Sequence, residues 1–329
     1  MKHKTLVGAI SILAAGVLVA AWFLSRPPSN RPEPSVPRIV TIGTFSKAYG
    51  NLPYYVAKHF RWFENDPSMA GATVKYTEYN DRPAISDALS TGGLQVLFSG
   101  DAPALLCRAQ GNDIKVVAVS GNAEQEIVVR PDSPVHSVPD LRGKKVAVMQ
   151  ATSSHYALLK ILQANGMGEA NIAMKLMSPP EARVAFEAGR IDAWAVWAPF
   201  VEQEQADDLG RVVVGSDALI NSIMSVSGDL LRTHEPIVRA VVNSVDRAKR
   251  WMVANPDEAQ RIAVEQLGLK PKVVALAWPK FNWAAQLDDA LTKDLQAKID
   301  FLASLDKTRQ SKTIDVSRDY VDRRFRGVR

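Results

Sequence analysis

The chain has 329 residues, of which 47% are hydrophobic and 23% charged, and its formal net charge is +5. This length and composition suit a folded protein of about two domains and exclude a largely disordered chain. The charge excess is mild, and no basic run is interleaved with aromatic residues, so nucleic acid is not expected as a partner.

The first 25 residues are predicted to be an export segment. Lys2 and Lys4 precede an uncharged, apolar stretch over residues 6–24. That stretch is longer than a typical signal h-region and long enough to span a bilayer, so a cleaved signal peptide and a retained membrane anchor are both open. The basic flank predicts that Met1 stays cytoplasmic and that the rest of the chain is exported, which gives a periplasmic location.

Residues 26–37 are predicted to be a linker. Five of these twelve residues are proline, which favours an extended spacer between the membrane and the folded body. Cys107 is the only cysteine of the chain, so no intrachain disulfide can form. Its apolar neighbours predict a small buried side chain rather than a reactive thiol.

From residue 38 the chain alternates short apolar runs with amphipathic stretches, a pattern typical of an α/β fold. Residues 38–125 are predicted to form the first part of one lobe, a mainly parallel sheet flanked by helices. The predicted strands of this lobe are 38–43, 73–79, 95–98 and 114–119, and its predicted helices are 52–60, 83–90 and 102–109.

Residues 126–225 are predicted to form a second lobe of the same kind. The series begins after residues 127–130; its predicted strands are 145–149, 172–177, 193–197 and 211–214, and its predicted helices are 154–165, 180–188 and 199–206. Ser178 and Glu181 have the spacing of a capping box, with proline in the first helical turn, and Gly189 suits the end of that helix.

Residues 226–329 are predicted to return to the first lobe as a helical tail. The predicted helical segments are 235–254, 257–267, a turn near 272–277, and 288–304. Because no further strong strand is predicted, these helices need a sheet to cover, and the first lobe offers one. The expected fold is two α/β lobes with a ligand cleft between them.

Ligands of open α/β sheets bind beyond the carboxyl ends of the strands, and the loops there are expected to converge on one small polar pocket. In the second lobe, the strand 145–149 runs through Gln150 and Thr152 directly into a helix. The first N–H groups of a helix have no intrahelical partner, and its dipole is positive at that end. This turn is therefore predicted to bind an anion, with hydrogen bonds from the hydroxyls of Ser153 and Ser154. In the alternative interpretation, one of these two serines caps its own helix.

His155 is a further candidate ligand contact, but at helical spacing it shares a face with Leu158 and Leu162, which favours packing. Ser154 and His155 are adjacent on the helix and cannot face each other as nucleophile and base. The sequence offers no hydrolytic or redox machinery, so it predicts binding without catalysis, with no cofactor and no metal.

Candidate ligand contacts in the first lobe follow two of its strands: Lys47, Tyr49, Asn51, Ser99, Gly100 and Asp101. Lys47 is expected to reach across the cleft, and Gly100 lets a ligand approach the backbone. Asp101 is either the N-cap of the next helix or the partner of a ligand ammonium. In the second lobe Trp194 and Trp197 point to opposite faces of their strand, so Trp197 is predicted to stack on the ligand and Trp194 to lie in the core.

Four segments, 99–103, 140–148, 153–162 and 181–200, resemble periplasmic solute-binding proteins of ABC importers, in the aliphatic-sulfonate, taurine and nitrate group of the thiamine-precursor-binding-like superfamily. The resemblance implies the two-lobed type II periplasmic-binding-protein fold, with a hinge between the lobes. It also implies a non-enzymatic, monomeric protein that closes around a small anion and delivers it to an ABC permease and ATPase complex.

Two departures from that family leave the ligand open. Sulfonate binders of this type often have a lysine where this chain has Gln150, and an aspartate where it has Ala198. An aliphatic sulfonate such as taurine is the expected ligand, and nitrate, an aromatic sulfonate or carboxylate, and a thiamine-pyrimidine precursor are the alternatives. A membrane-tethered sensor ectodomain is a further alternative. An enzyme of thiamine-pyrimidine synthesis is disfavoured, because that type carries a cysteine-rich motif.

Overall fold

A computed structural model of the protein describes residue 37 and residues 39–213, 218–305 and 314–325. The predicted export segment, and the predicted linker apart from residue 37, lie outside these ranges. Among the helices that the structure describes, none is long and apolar enough to cross a membrane.

The first lobe is built on a five-stranded sheet. Its strands are β1 (Ile39–Phe45), β2 (Thr73–Tyr79), β3 (Val96–Gly100), β4 (Ile114–Glu124) and β10 (Leu219–Ser227). The order is β2-β1-β3-β10-β4; β1 is parallel to β2 and β3, while β10 is antiparallel to β3 and β4. The connecting helices are α1 (Leu52–His59), α2 (Arg82–Ser90) and α3 (Asp101–Ala109).

The second lobe has its own five-stranded sheet. Its strands are β5 (Glu126–Val129), β6 (Lys145–Val148), β7 (Ala173–Leu176), β8 (Ala193–Val196) and β9 (Arg211–Val213), in the order β7-β6-β8-β5-β9. Its helices are α4 (Ser153–Ala164), α5 (Pro179–Glu187) and α6 (Phe200–Ala206). The predicted capping box of Ser178 and Glu181 is present at the start of α5. The predicted α/β lobes are confirmed, although residue 214 of the last predicted strand lies outside the described residues.

Helices cover the first sheet after the chain has left the second lobe. They are α7 (Gly228–Thr233), α8 (Glu235–Ala254), α9 (Pro256–Leu267), α10 (Pro271–Ala277) and α11 (Asp289–Leu305). Val238 and Val241 of α8 share one buried cluster with Val40 and Ile42 of β1, and α11 packs on α3 in a second cluster. The helical return to the first lobe is therefore present.

The sequence prediction missed β10, and its boundary at 225 falls inside this strand. The return to the first sheet begins at Leu219, because β10 hydrogen-bonds to β3 on one side and to β4 on the other. Asn221, Ser222 and Ser225 weaken the apolar pattern that identifies a buried strand, yet all three side chains are buried. The hydrophobic pattern does not identify this strand, because the partners of its polar side chains lie far away in sequence.

The chain crosses between the lobes at two neighbouring positions. β4 ends at Glu124 in the first sheet and β5 begins at Glu126 in the second, so Gln125 is the crossing residue. The backbone N–H of Gln125 donates to the carbonyl of Ala218, which precedes β10, at 2.8 Å. Paired connections of this kind allow two lobes to rotate as rigid bodies about a hinge.

A buried glutamate on α6 is expected to make the stability of the second lobe depend on pH. The side chain of Glu204 is fully buried, 3.1 Å from the guanidinium of Arg183. Burial raises the pKa of Glu204 from 4.5 to about 7, although Arg183 opposes the shift. Between these values the folded protein holds a proton that the unfolded chain has lost, so the free energy of unfolding falls as the pH rises through that window.

Glu204→Gln is expected to remove this pH dependence, which amounts to about 1–3 kcal/mol. Urea unfolding of the variant and of the wild type at about pH 5 and about pH 7.5 measures it. Glu187→Gln, which removes an exposed partner of Arg183, is the control. The same loss of stability with rising pH in wild type and Glu204→Gln would mean that Glu204 ionises normally.

Candidate ligand-binding cleft

A cleft of about 400 Å³ is lined by residues of both lobes. The first lobe contributes the side chains of Phe45, Tyr49, Leu106, Ile220, Lys280 and Phe281, among others, and the second contributes Met149, Thr152, Ser153, Val196, Trp197 and Glu202. Most of these side chains are apolar, so the expectation of a small polar pocket is wrong. A cavity of this size and lining fits an organic ligand rather than a bare inorganic ion.

The N-terminus of α4 lies in the cleft lining. Thr152 is its N-cap: the Thr152 hydroxyl accepts from the N–H of His155 at 3.3 Å and donates to the carbonyl of Met149 at 2.7 Å. The turn before it is tight, since Ala151 has a φ of 56° and its N–H donates to Nδ1 of His155. These contacts fix the direction of the first helical N–H groups, which have no partner within the helix.

Ser153 links this helix to the first lobe. Its hydroxyl donates to Oδ1 of Asp101, which lies at the start of α3. The predicted N-cap at Asp101 is wrong by one residue, because Gly100 is the N-cap and Asp101 is the first residue of the helix. The Asp101 carboxylate also accepts from the N–H of Ala102 at 2.8 Å and from the side-chain amide of Asn221 at 2.9 Å.

A buried lysine of α11 neutralises Asp101. Nζ of Lys298 lies 2.6 Å from Oδ2 of Asp101 and 2.7 Å from Asp294, and it donates to the carbonyl of Leu219 at 2.8 Å. Both Lys298 and Asp101 are fully buried. Burial acts to lower the pKa of Lys298, but the two aspartates outweigh it and the net pKa is raised. Asp101 therefore already holds an ammonium from the protein, which leaves little reason for it to bind one from a ligand.

Half of the predicted ligand contacts line the cleft. They are Tyr49, Gly100, Gln150, Thr152, Ser153 and Trp197. The ring of Trp197 is half-buried and lies edge-on to Phe200, with the ring centroids 5.9 Å apart, whereas Trp194 is buried in the core as predicted. Tyr49 is fully buried and packs against Phe281, so its ring forms part of the wall.

The other predicted contacts lie outside the cleft lining. Lys47 is exposed, and Asn51 is buried, where it donates to the hydroxyl of Thr44 at 3.1 Å. Ser99, Asp101, Ser154 and His155 are buried behind the loops. His155 packs against Phe301 of α11, with ring centroids 5.5 Å apart, and burial lowers its pKa. The predicted packing role of His155 is confirmed.

Sequence reasoning missed Lys280, which lines the cleft and joins the two lobes. Its Nζ lies 2.6 Å from Glu126 and 2.9 Å from Glu202, and it donates to the side-chain carbonyl of Gln205 at 3.1 Å. Burial acts to lower the pKa of Lys280, but Glu202 and Glu126 outweigh this effect and the net pKa is raised. Burial also raises the pKa of Glu126, against the effect of Lys280. The sequence signal that could have identified Lys280 is its position as a cation among the aromatic residues between α10 and α11.

Comparisons with known proteins agree with this architecture. The family described as NMT1/THI5 like matches residues 50–259. The periplasmic taurine-binding protein of Escherichia coli is 29% identical over 197 residues, which span 57% of this chain and 60% of that protein. The alignment thus covers less than two thirds of the relative.

Solved structures share the fold over almost the whole described body. SsuA, the periplasmic aliphatic sulphonate-binding protein of Escherichia coli, superimposes with a TM-score of 0.74 at 22% identity, covering 86% of this chain and 92% of that one. The alkanesulfonate-binding protein SsuA of Xanthomonas axonopodis pv. citri, solved with MOPS bound, gives a TM-score of 0.73 at 24% identity and covers 88% and 99%. These likenesses identify the two lobes as a periplasmic-binding-protein fold.

The sequence match and the structural likeness concern the same part of the chain. The matched residues 50–259 include most of the first sheet and all of the second lobe, and with them most of the residues that line the cleft. The chain therefore belongs to the NMT1/THI5-like family, and it shares its fold with the sulfonate-binding proteins named above.

Proposed function

We propose that this protein is the solute-binding component of an ABC importer, which captures an organic sulfonate or a similar anion in the interlobe cleft. The observation that carries the proposal is the N-terminus of α4, which opens into a cleft lined by aromatic side chains. Helix N–H groups and dipole favour the anionic group, while Trp197 and Phe281 offer apolar surface to an organic body. The relatives named above bind sulfonates or taurine.

In this proposal the protein acts in the periplasm and closes by rotation about the hinge at Gln125 and Ala218. Ligand held between the lobes favours the closed form, which a membrane permease with its ATPase then recognises. The polar contacts between the lobes, from Ser153 to Asp101 and from Lys280 to Glu202, form as the lobes close. Monomeric state and membrane attachment stay predictions.

The mostly apolar lining favours an organic ligand over nitrate. A thermal-shift screen of the full-length protein distinguishes the ligand classes, because a bound ligand raises the melting temperature. We expect alkanesulfonates and cyclic sulfonates to raise it, and nitrate to have no effect. Aromatic carboxylates and a thiamine pyrimidine are the other arms of the screen, and a shift by one of these alone would replace the sulfonate in the proposal.

Ser153→Ala is expected to weaken sulfonate binding by about 1–3 kcal/mol, because it removes a charge-assisted hydrogen bond that holds the anion-binding helix against the first lobe. Isothermal titration calorimetry measures the change. Ser154→Ala is a matched control: Ser154 is adjacent and buried, and its hydroxyl has no hydrogen-bond partner within the described ranges. We expect this control to change the affinity by less than about 0.5 kcal/mol. Equal affinities of the two variants would remove Ser153 from the mechanism.

A further inference from the structure

The carboxylate of Glu202 is only partly satisfied in the cleft. The side chain is 1% exposed, and one oxygen, Oε1, accepts from Nζ of Lys280 at 2.9 Å. The other oxygen, Oε2, has no hydrogen-bond partner among the residues that the structure describes. A buried carboxylate oxygen without a partner is costly, and native proteins rarely leave one in that state.

Lys280 cannot serve this oxygen as well. An ammonium has three hydrogens, and Glu126, Glu202 and Gln205 each accept from Lys280 within 3.1 Å. Two carboxylates share one cation, and Glu124, also part of the lining, stands exposed at the rim. The part of the cleft lining around Glu202 therefore carries an excess of negative charge, and all three donors of Lys280 are in use.

Two parts of the cleft lining thus differ in the ligand groups that they attract. The N-terminus of α4 supplies donors and a positive dipole, whereas Glu202 supplies an acceptor and negative charge. Trp197 and Phe281 line the same cleft. A ligand that satisfies both parts has an anionic group, an apolar body and a protonated amine.

We propose that Glu202 is a specificity-determining residue, whose free carboxylate oxygen accepts a hydrogen bond from a protonated amine on the organic body of the ligand. The inference rests on the proposed function and narrows its substrate class to zwitterionic sulfonates or similar anions. Glu202 lies on α6, five residues after Trp197, so the aromatic contact and the carboxylate come from one local segment. Val196, Trp197 and Ala198 of this segment also line the cleft, and Glu202 is the acidic group among these lining residues.

A matched pair of ligands tests the proposal on the full-length protein. Cyclohexylaminopropanesulfonate carries a protonated amine at neutral pH, and cyclohexylbutanesulfonate has a methylene in its place. Calorimetry is expected to show at least about tenfold tighter binding of the amine by the wild type. Glu202→Gln is expected to weaken the binding of the amine ligand by about 10- to 100-fold. The same substitution should weaken the binding of cyclohexylbutanesulfonate by less than about twofold.

Glu204→Gln is the control variant, since Glu204 lies on the same helix and is buried, but does not line the cleft. It should keep the preference for the amine. Equal binding of the two ligands by the wild type, or an equal loss of both in Glu202→Gln, would overturn the proposal while leaving sulfonate binding intact. Binding of neither ligand by the wild type would instead count against the proposed function itself. The wild-type comparison decides the matter even if a variant does not fold.

Discussion

Lys298→Met is expected to lower the free energy of unfolding by about 3–5 kcal/mol, because it leaves the fully buried carboxylate of Asp101 without its cation. Methionine lacks only the terminal atom of the lysine side chain, so most of the loss comes from charge rather than from a cavity. Asp101 would retain hydrogen bonds from Asn221, Ala102 and Ser153, but none of these donors carries a charge. Urea unfolding, followed by circular dichroism, measures the change.

Asp294→Asn is the control for this substitution. Asp294 also contacts Lys298, but it is 28% exposed, so its loss is expected to cost only about 1 kcal/mol. The double variant Asp101→Asn and Lys298→Met should be more stable than Lys298→Met alone, because no fully buried carboxylate is left without a cation. If Lys298→Met costs no more than Asp294→Asn, the buried pair does not stabilise the first lobe as described.

Trp194→Ala is expected to lower mainly the stability of the protein, and Trp197→Ala mainly its affinity for sulfonates. Trp194 is 1% exposed and packs against Phe186 and Phe200, so its truncation should cost about 3–5 kcal/mol of stability. Trp197 lines the cleft and is half-buried, so its truncation should cost about 1 kcal/mol of stability but about 2 kcal/mol or more of sulfonate affinity. Urea unfolding and calorimetry on the same preparations measure both effects.

Trp62→Ala is a suitable control, because Trp62 is a half-buried tryptophan of the first lobe that does not line the cleft. It should leave the affinity unchanged. A Trp197→Ala variant that binds sulfonates as tightly as the wild type would show that the aromatic wall does not contact the ligand, and the organic body would have to lie elsewhere.

Local sequence patterns predicted most of the fold. Apolar runs such as Lys145–Val148, and the capping box of Ser178 and Glu181, act within a few residues, so they can be seen in one sequence. β10 was missed because its polar residues are satisfied at long range: Asn221 binds Asp101, which is 120 residues away. The hydrophobic pattern of a segment depends only on that segment's own residues, so it cannot reveal partners that are distant in sequence.

The candidate site could be predicted only in part, for the same reason. The anion-binding turn at Thr152 and Ser153 is a local motif, and the opposite faces of Trp194 and Trp197 follow from strand geometry. Lys280 and Glu202 escaped prediction because they meet only when the helical tail has returned to the cleft, 78 residues apart in sequence. The role predicted for Asp101 changed because Lys298, 197 residues away, already neutralises it.

A crystal structure of the full-length protein with cyclohexylaminopropanesulfonate tests the central claim most directly, because the anomalous signal of the sulfonate sulfur marks the position of the anion. The account predicts this sulfur at the N-terminus of α4, within hydrogen-bond reach of the Ser153 N–H, with the ring against Trp197 and the amine at Glu202. A sulfonate bound at Glu202, or outside the cleft between the lobes, would contradict it.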